Sequence, residues 1–119
     1  MSPSNMGAVR YKYTFEQAPS IEEIADRFRG LTGLTMIVNS KGGWDLSASP
    51  LRGHVEIERA AKTLWVTPWS ERLLGRGYFF AAFTRTLHEL GAQRPPPRLP
   101  AYASRRWKDL PVWRRWLSR

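Results

Sequence analysis

Period-two alternation of apolar and polar side chains, repeated in short bursts, constrains this chain more than any other feature. From Val9 to Glu16 it is unbroken, with Val9, Tyr11, Tyr13 and Phe15 on one side and Arg10, Lys12, Thr14 and Glu16 on the other. Successive side chains of a strand point to opposite faces, so this stretch reads as a strand with one buried face. The pattern returns in Leu34, Met36 and Val38, in Trp44 and Leu46, in Val55 and Ile57, and in Leu64 and Val66. Asn39-Ser40-Lys41-Gly42-Gly43, Pro50 to Gly53 and Ala60 to Lys62 separate these bursts and predict turns, the first of them a hairpin.

Two stretches switch to helical spacing. Ser20 and Glu23 match the capping box, in which each side chain satisfies an orphan backbone amide of the other residue. Ile21, Ile24, Phe28 and Leu31 follow on one face, and Gly30 and Gly33 offer a stop, which predicts a helix from Ile21 to Arg29 or Gly30. Pro68 is expected to end the fifth strand and open a second helix, with Thr67 or Ser70 as cap and Glu71 favourably placed for the dipole. Leu73, Phe80, Phe83, Leu87 and Leu90 form its apolar stripe with Phe79 at the margin, and Gly91 ends it. Gly75 and Gly77 weaken its start by about 1 kcal/mol each relative to alanine.

The order β-α-β-β-β-β-α predicts an α+β fold, an antiparallel five-stranded sheet with two helices on one face. With 119 residues, 42% of them apolar, the chain can build one core and not two. Residues 1–94 read as a single α+β domain whose first eight residues form a flexible N-terminus. Residues 95–119 read as a Pro-rich linker, carrying Pro95-Pro96-Pro97 and Pro100, followed by a basic, Trp-rich segment with a short helix.

Charge is distributed unevenly between these parts. Residues 1–94 hold 12 Lys/Arg against 9 Asp/Glu, whereas residues 95–119 hold 7 against 1, so the tail carries +6 of the net +9. Such a patch attracts acidic partners of any class. Cysteine is absent, which removes disulfides, thiolate zinc sites and cysteine nucleophiles and makes the cytoplasm the expected setting. Met1 to Gly7 are small and polar, so no export signal is expected, and no apolar run approaches the roughly 18 to 20 residues of a membrane span.

The segment from Arg105 to Leu117 carries the strongest functional signal. Asp109 or Leu110 would cap a short helix with Pro111 in its first turn, placing Trp113, Trp116 and Leu117 on one side and Arg114 and Arg115 beside them. Arginine offers planar donors to carboxylate or phosphate, and tryptophan offers a broad apolar face. Three readings fit: the tail folds back and buries its indoles under an arginine rim, it contacts a protein or nucleic acid, or it lies on a membrane surface. The predicted partner-binding residues are Arg105, Arg106, Trp107, Lys108, Trp113, Arg114, Arg115 and Trp116.

Catalytic signals are sparse. His54, Glu56 and Glu58 alternate and so share a face, where they could contribute to a metal or acid–base site, but polar residues on the open side of an antiparallel strand are the ordinary pattern. Pairing with Arg10, Lys12 or Lys62 is the alternative. His88 is expected to point away from that face. No nucleophile elbow, His-Glu-x-x-His helix or phosphate-binding loop occurs, and Gly75-Arg76-Gly77 reads as helix-start punctuation. Glu22, Glu23 and Asp26 read as a solvated helix face. The outer sheet face, carrying Arg10, Lys12, Thr35, Ile37, Asp45, His54, Glu56, Glu58 and Trp65, mixes acid with base and offers a single stacking aromatic, unlike an RNA-recognition sheet.

These observations predict a noncatalytic macromolecule-binding module with no cofactor, binding another protein as an inhibitor or adaptor. The alternatives are a nucleic-acid binder using the same tail and a small enzyme or metal-binding protein using His54, Glu56 and Glu58. An edge strand or exposed tryptophans would also support a homodimer. Small bacterial immunity proteins and other inhibitors commonly use compact α+β folds of this size, an analogy of fold that fixes no function.

Overall fold

Ser20 and Glu23 form the capping box that their spacing predicts: the Glu23 amide donates to Ser20 Oγ at 3.1 Å and the Ser20 amide to Glu23 Oε1 at 3.0 Å. The computed structural model containing this cap describes residues 10–40, 44–49, 51, 53–69, 78–93 and 99–117, the last two by backbone alone. Its elements run β1 (Tyr11–Thr14), α1 (Ile21–Thr32), β2 (Ile37–Asn39), β3 (Trp44–Ser47), β4 (His54–Arg59), β5 (Thr63–Trp69) and α2 (Tyr78–Glu89). Two short 3-10 turns, Ala101–Ser104 and Trp107–Asp109, lead to α3 (Val112–Leu117).

The five strands form one sheet in the order β1-β5-β4-β3-β2, each neighbouring pair antiparallel. The expected α+β architecture is therefore present. Leu46, Val55, Leu64 and Val66 share one core with Ile24 and Phe28 of α1 and Phe83 and Leu87 of α2, so both helices cover the same side of the sheet. Each such side chain contributes roughly 1.5–3 kcal/mol when fully buried.

Four local expectations are corrected. Helix α1 continues past Gly30 to Thr32, because its stop needs a left-handed residue and Gly33 supplies one, with φ 78° and its amide donating to Arg29 O at 2.8 Å. Thr32 is buried with the last turn, its hydroxyl donating to Phe28 O at 2.7 Å. Pro68 does not end β5; it pairs with Val55 inside the strand. A proline is tolerated inside a ladder where its missing amide is not called on, so it does not by itself terminate the strand.

The other two corrections concern burial. Val38, on the apolar side of its strand, is 42% exposed, because β2 is the edge strand and the helices do not cover it. Phe80 is only half-buried, against Tyr11, whereas Tyr78, outside the expected stripe, is fully buried. Helix α2 is buried on more of its circumference than a stripe requires because the C-terminal turns pack on it as well. Ser70, Glu71, Leu73, Gly75, Arg76, Gly77 and the Pro95-Pro96-Pro97 run lie outside the described residues, as does residues 1–8. Among the described residues no helix is long and apolar enough to cross a membrane.

Candidate functional site

Tyr78 organises the C-terminal segment. Its side chain is fully buried at the start of α2, with the Trp107 ring centroid 5.4 Å away and that of Tyr102 at 6.4 Å. The hydroxyl donates a hydrogen bond to the Arg105 carbonyl. Burial pushes its pKa up to about 12, so the phenol remains a neutral donor across the physiological range.

A second tether joins the segment to α1. Arg106 Nη1 donates to the Gly30 carbonyl at 3.1 Å, and its guanidinium lies beside Gly33, at the negative end of the helix dipole. On either side of the tethers the chain folds on itself: the Arg105 amide donates to Tyr102 O at 3.1 Å and the Leu110 amide to Trp107 O at 3.2 Å. Pro100 keeps the extended conformation expected of the proline-rich stretch, with φ −62° and ψ 151°. Ala103, Trp107 and Leu110 are buried, and the last two join the body's hydrophobic core.

The predicted contact residues therefore divide. Trp107, 8% exposed, faces inward and serves the domain's own packing. Trp113, 58% exposed, faces solvent in the first turn of α3. Arg105, Arg106 and Lys108 are exposed, and Arg114 and Arg115 are half-buried. The side chain of Trp116 lies outside the described residues.

Arg114 lies over two aromatic rings. Its guanidinium carbon lies 4.5 Å from the Tyr102 ring centroid and 4.6 Å from that of Trp113, within the range of cation–π attraction. Beside it is an open trough of about 390 Å³, bounded by Pro100, Tyr102, Leu110, Pro111 and Trp113, with Arg105 and Arg114 as its charged residues. Among the described residues no acidic side chain lines it. Tyr102 and Pro100 were not foreseen as site residues, although the Leu99-Pro100-Ala101-Tyr102 run is apolar immediately after the proline-rich stretch.

Several arginines of the body are engaged by carboxylates or carbonyls. Arg10 pairs with Glu58, Arg27 and Arg85 share Glu89, and Arg59 donates to the Pro19 and Ala18 carbonyls. Among the described residues, Arg105, Lys108, Arg114 and Arg115 have no carboxylate partner. They are carried on a scaffold fixed by Trp107 and Leu110, so their positive field has a defined shape.

On the outer sheet face His54, Glu56 and Glu58 project as their alternation predicts. Glu58 is engaged by Arg10 and His54 Nε2 lies 3.7 Å from Asp45 Oδ1. Among the described residues no group of three or more His, Asp or Glu is arranged to hold a metal ion. Trp65, the expected stacking aromatic, has Arg10 at 4.4 Å and Lys12 at 5.4 Å over its ring. His88 lies on the helix side, its ring 6.0 Å from that of Tyr13. Glu22, Glu23 and Asp26 are exposed on α1, Glu23 serving the cap. No protein-family model, curated protein or solved structure matches the chain, so its surface is interpreted from geometry and charge.

Proposed function

We propose that this chain is a noncatalytic binding module whose C-terminal surface docks an acidic partner protein, as an inhibitor or adaptor would. The supporting observation is that, among the described residues, the side chains of Arg105, Lys108, Arg114 and Arg115 have no carboxylate or carbonyl partner and sit together on one core-anchored segment, whereas the body cations in the same state, Lys12 on β1, Arg29 on α1 and Lys62 before β5, are dispersed. Exposed Trp113 adds the aromatic anchor in which interface energy concentrates. The cysteine-free composition accords with a cytoplasmic setting.

Nucleic acid is the competing ligand because the tail carries +6. Stacking geometry favours protein. A single-strand binder needs open aromatic faces for successive bases, yet Trp107 is buried and Arg114 occupies a face of both Tyr102 and Trp113.

The test is affinity capture from the native cell at moderate salt, with and without nuclease, using the wild-type chain and a variant combining Arg105→Glu, Lys108→Glu, Arg114→Glu and Arg115→Glu. A protein retained through nuclease treatment and lost in the folded variant supports the proposal. Recovery of nucleic acid alone, or equal recovery by the variant, refutes it.

A further inference from the structure

We propose that the tail reads its partner as an acidic linear peptide, with a carboxylate seated on Arg114 and a neighbouring leucine or proline side chain in the trough beside it. This inference rests on the protein-docking reading above and specifies the chemistry that the site selects.

Arg114 supplies the geometry. Its guanidinium carbon lies over the Tyr102 and Trp113 rings at comparable distance, contacts that use the charge of the group and consume none of its N–H donors in a conventional hydrogen bond. A carboxylate meets those donors edge-on and bidentate, the arrangement in which arginine outperforms lysine. Ring packing also restrains the long side chain before a ligand arrives, so less rotamer freedom is lost on binding. Among the described residues no carboxylate is paired with Arg114.

The trough supplies the second half of the recognition. Pro100, Leu110, Pro111 and Trp113 give it apolar walls, and its volume of about 390 Å³ falls in the lower range of ligand pockets. That space suits one or two aliphatic side chains. Among the described residues its charged lining is Arg105 and Arg114, so a peptide alternating acidic with apolar residues matches it in both charge and polarity. A base would find one face each of Tyr102 and Trp113 taken by Arg114, and a bare polyanion would leave the apolar walls in water.

The full-length, isotope-labelled protein is titrated with the peptide acetyl-Asp-Glu-Leu-Pro-Glu-Asp-amide, its Asn/Gln counterpart, oligothymidylate, and vesicles of phosphatidylserine, while indole and arginine N–H resonances are followed. The acidic peptide is expected to shift Trp113 and Arg114 and leave the Trp107 indole in place, with the Asn/Gln peptide weaker by about ten-fold or more. Arg114→Lys keeps the charge and removes the planar fork, so it too should weaken the acidic peptide by about ten-fold or more, with the fold verified by the unmoved core resonances. Stronger shifts with oligothymidylate or with the vesicles, equal affinity for the Asn/Gln peptide, or an unaffected Arg114→Lys variant each overturn the inference. A partner captured equally by Arg114→Lys and wild type, but lost in the fourfold charge reversal, overturns the peptide trough while leaving the docking surface in place; loss in both supports the trough.

Discussion

Replacing Trp107 with alanine tests whether the basic segment is structurally part of the core. A tryptophan side chain buries about 150–250 Å², and at about 25 cal/mol per Å² that area contributes roughly 4–6 kcal/mol. Trp107 is 8% exposed and meets Tyr78 and the core, so nearly all of that area counts. Alanine retains part of the burial, and core aromatic-to-alanine changes cost about 3–5 kcal/mol. A chain of this length has a total stability on the order of 6–18 kcal/mol, so the loss is a large share of it. With a urea slope of about 2 kcal/mol per molar, the unfolding midpoint should fall by roughly 2 M. Trp113→Ala is the matched control: its side chain is 58% exposed, and its removal should cost no more than about 1 kcal/mol, chiefly the contact with Arg114. Far-ultraviolet circular dichroism is the readout, since either substitution removes a fluorophore. Midpoints for the two variants that agree within about 0.5 M would refute the assignment of Trp107 to the core.

Three further outcomes are expected. Gly33→Ala places a side chain at φ 78° with its Cβ 3.0 Å from Arg106 Nη2; it should cost about 1–2 kcal/mol, and because the long arginine can yield while the backbone cannot, adding Arg106→Ala should not restore urea stability. Burial lowers the His88 pKa from 6.5, so the unfolded chain takes up the proton first: stability is full above about 6.5, falls as pH drops toward the folded value, and His88→Gln should flatten melting temperature against pH in that window. The Glu89 carboxyl is held below its ordinary value of 4.5, chiefly by Arg85, whose Nε donates at 3.0 Å, and also by Arg27 at 3.1 Å; its contribution is present above 4.5 and is lost as pH falls through the depressed folded value. Glu89→Gln should therefore cost at most about 1 kcal/mol at neutral pH in urea unfolding, with the difference shrinking in high salt.

What the sequence specified locally, it specified legibly. The Ser20–Glu23 cap, the alternation that turns Tyr13, Leu46, Val55 and Leu64 inward, and the pairing of a body arginine with Glu58 all depend on residues near in sequence or on strand periodicity. Pro68 reads locally as a strand stop, whereas its place inside β5 depends on register with Val55 on the neighbouring strand, a fact that the proline and its sequence neighbours do not carry. Tyr78 was missed because helical periodicity assumes one buried face, whereas α2 also meets the chain that returns after it. The candidate site shows the same limit in sharper form. Trp107 and Trp113 lie in one basic segment, each with cations beside it, and composition cannot separate them. What separates them is remote: the buried Tyr78 hydroxyl holds Arg105, the end of α1 holds Arg106, and the residue after these two tethers enters the core. Past Pro111 the chain turns into α3 and its indole at 113 faces outward. Inward Trp107 fixes the scaffold, and outward Trp113 with Arg114 is displayed upon it. The contact surface thus depends on the same packing that keeps half of its aromatic character out of reach, which is why the two tryptophan substitutions should separate stability from binding.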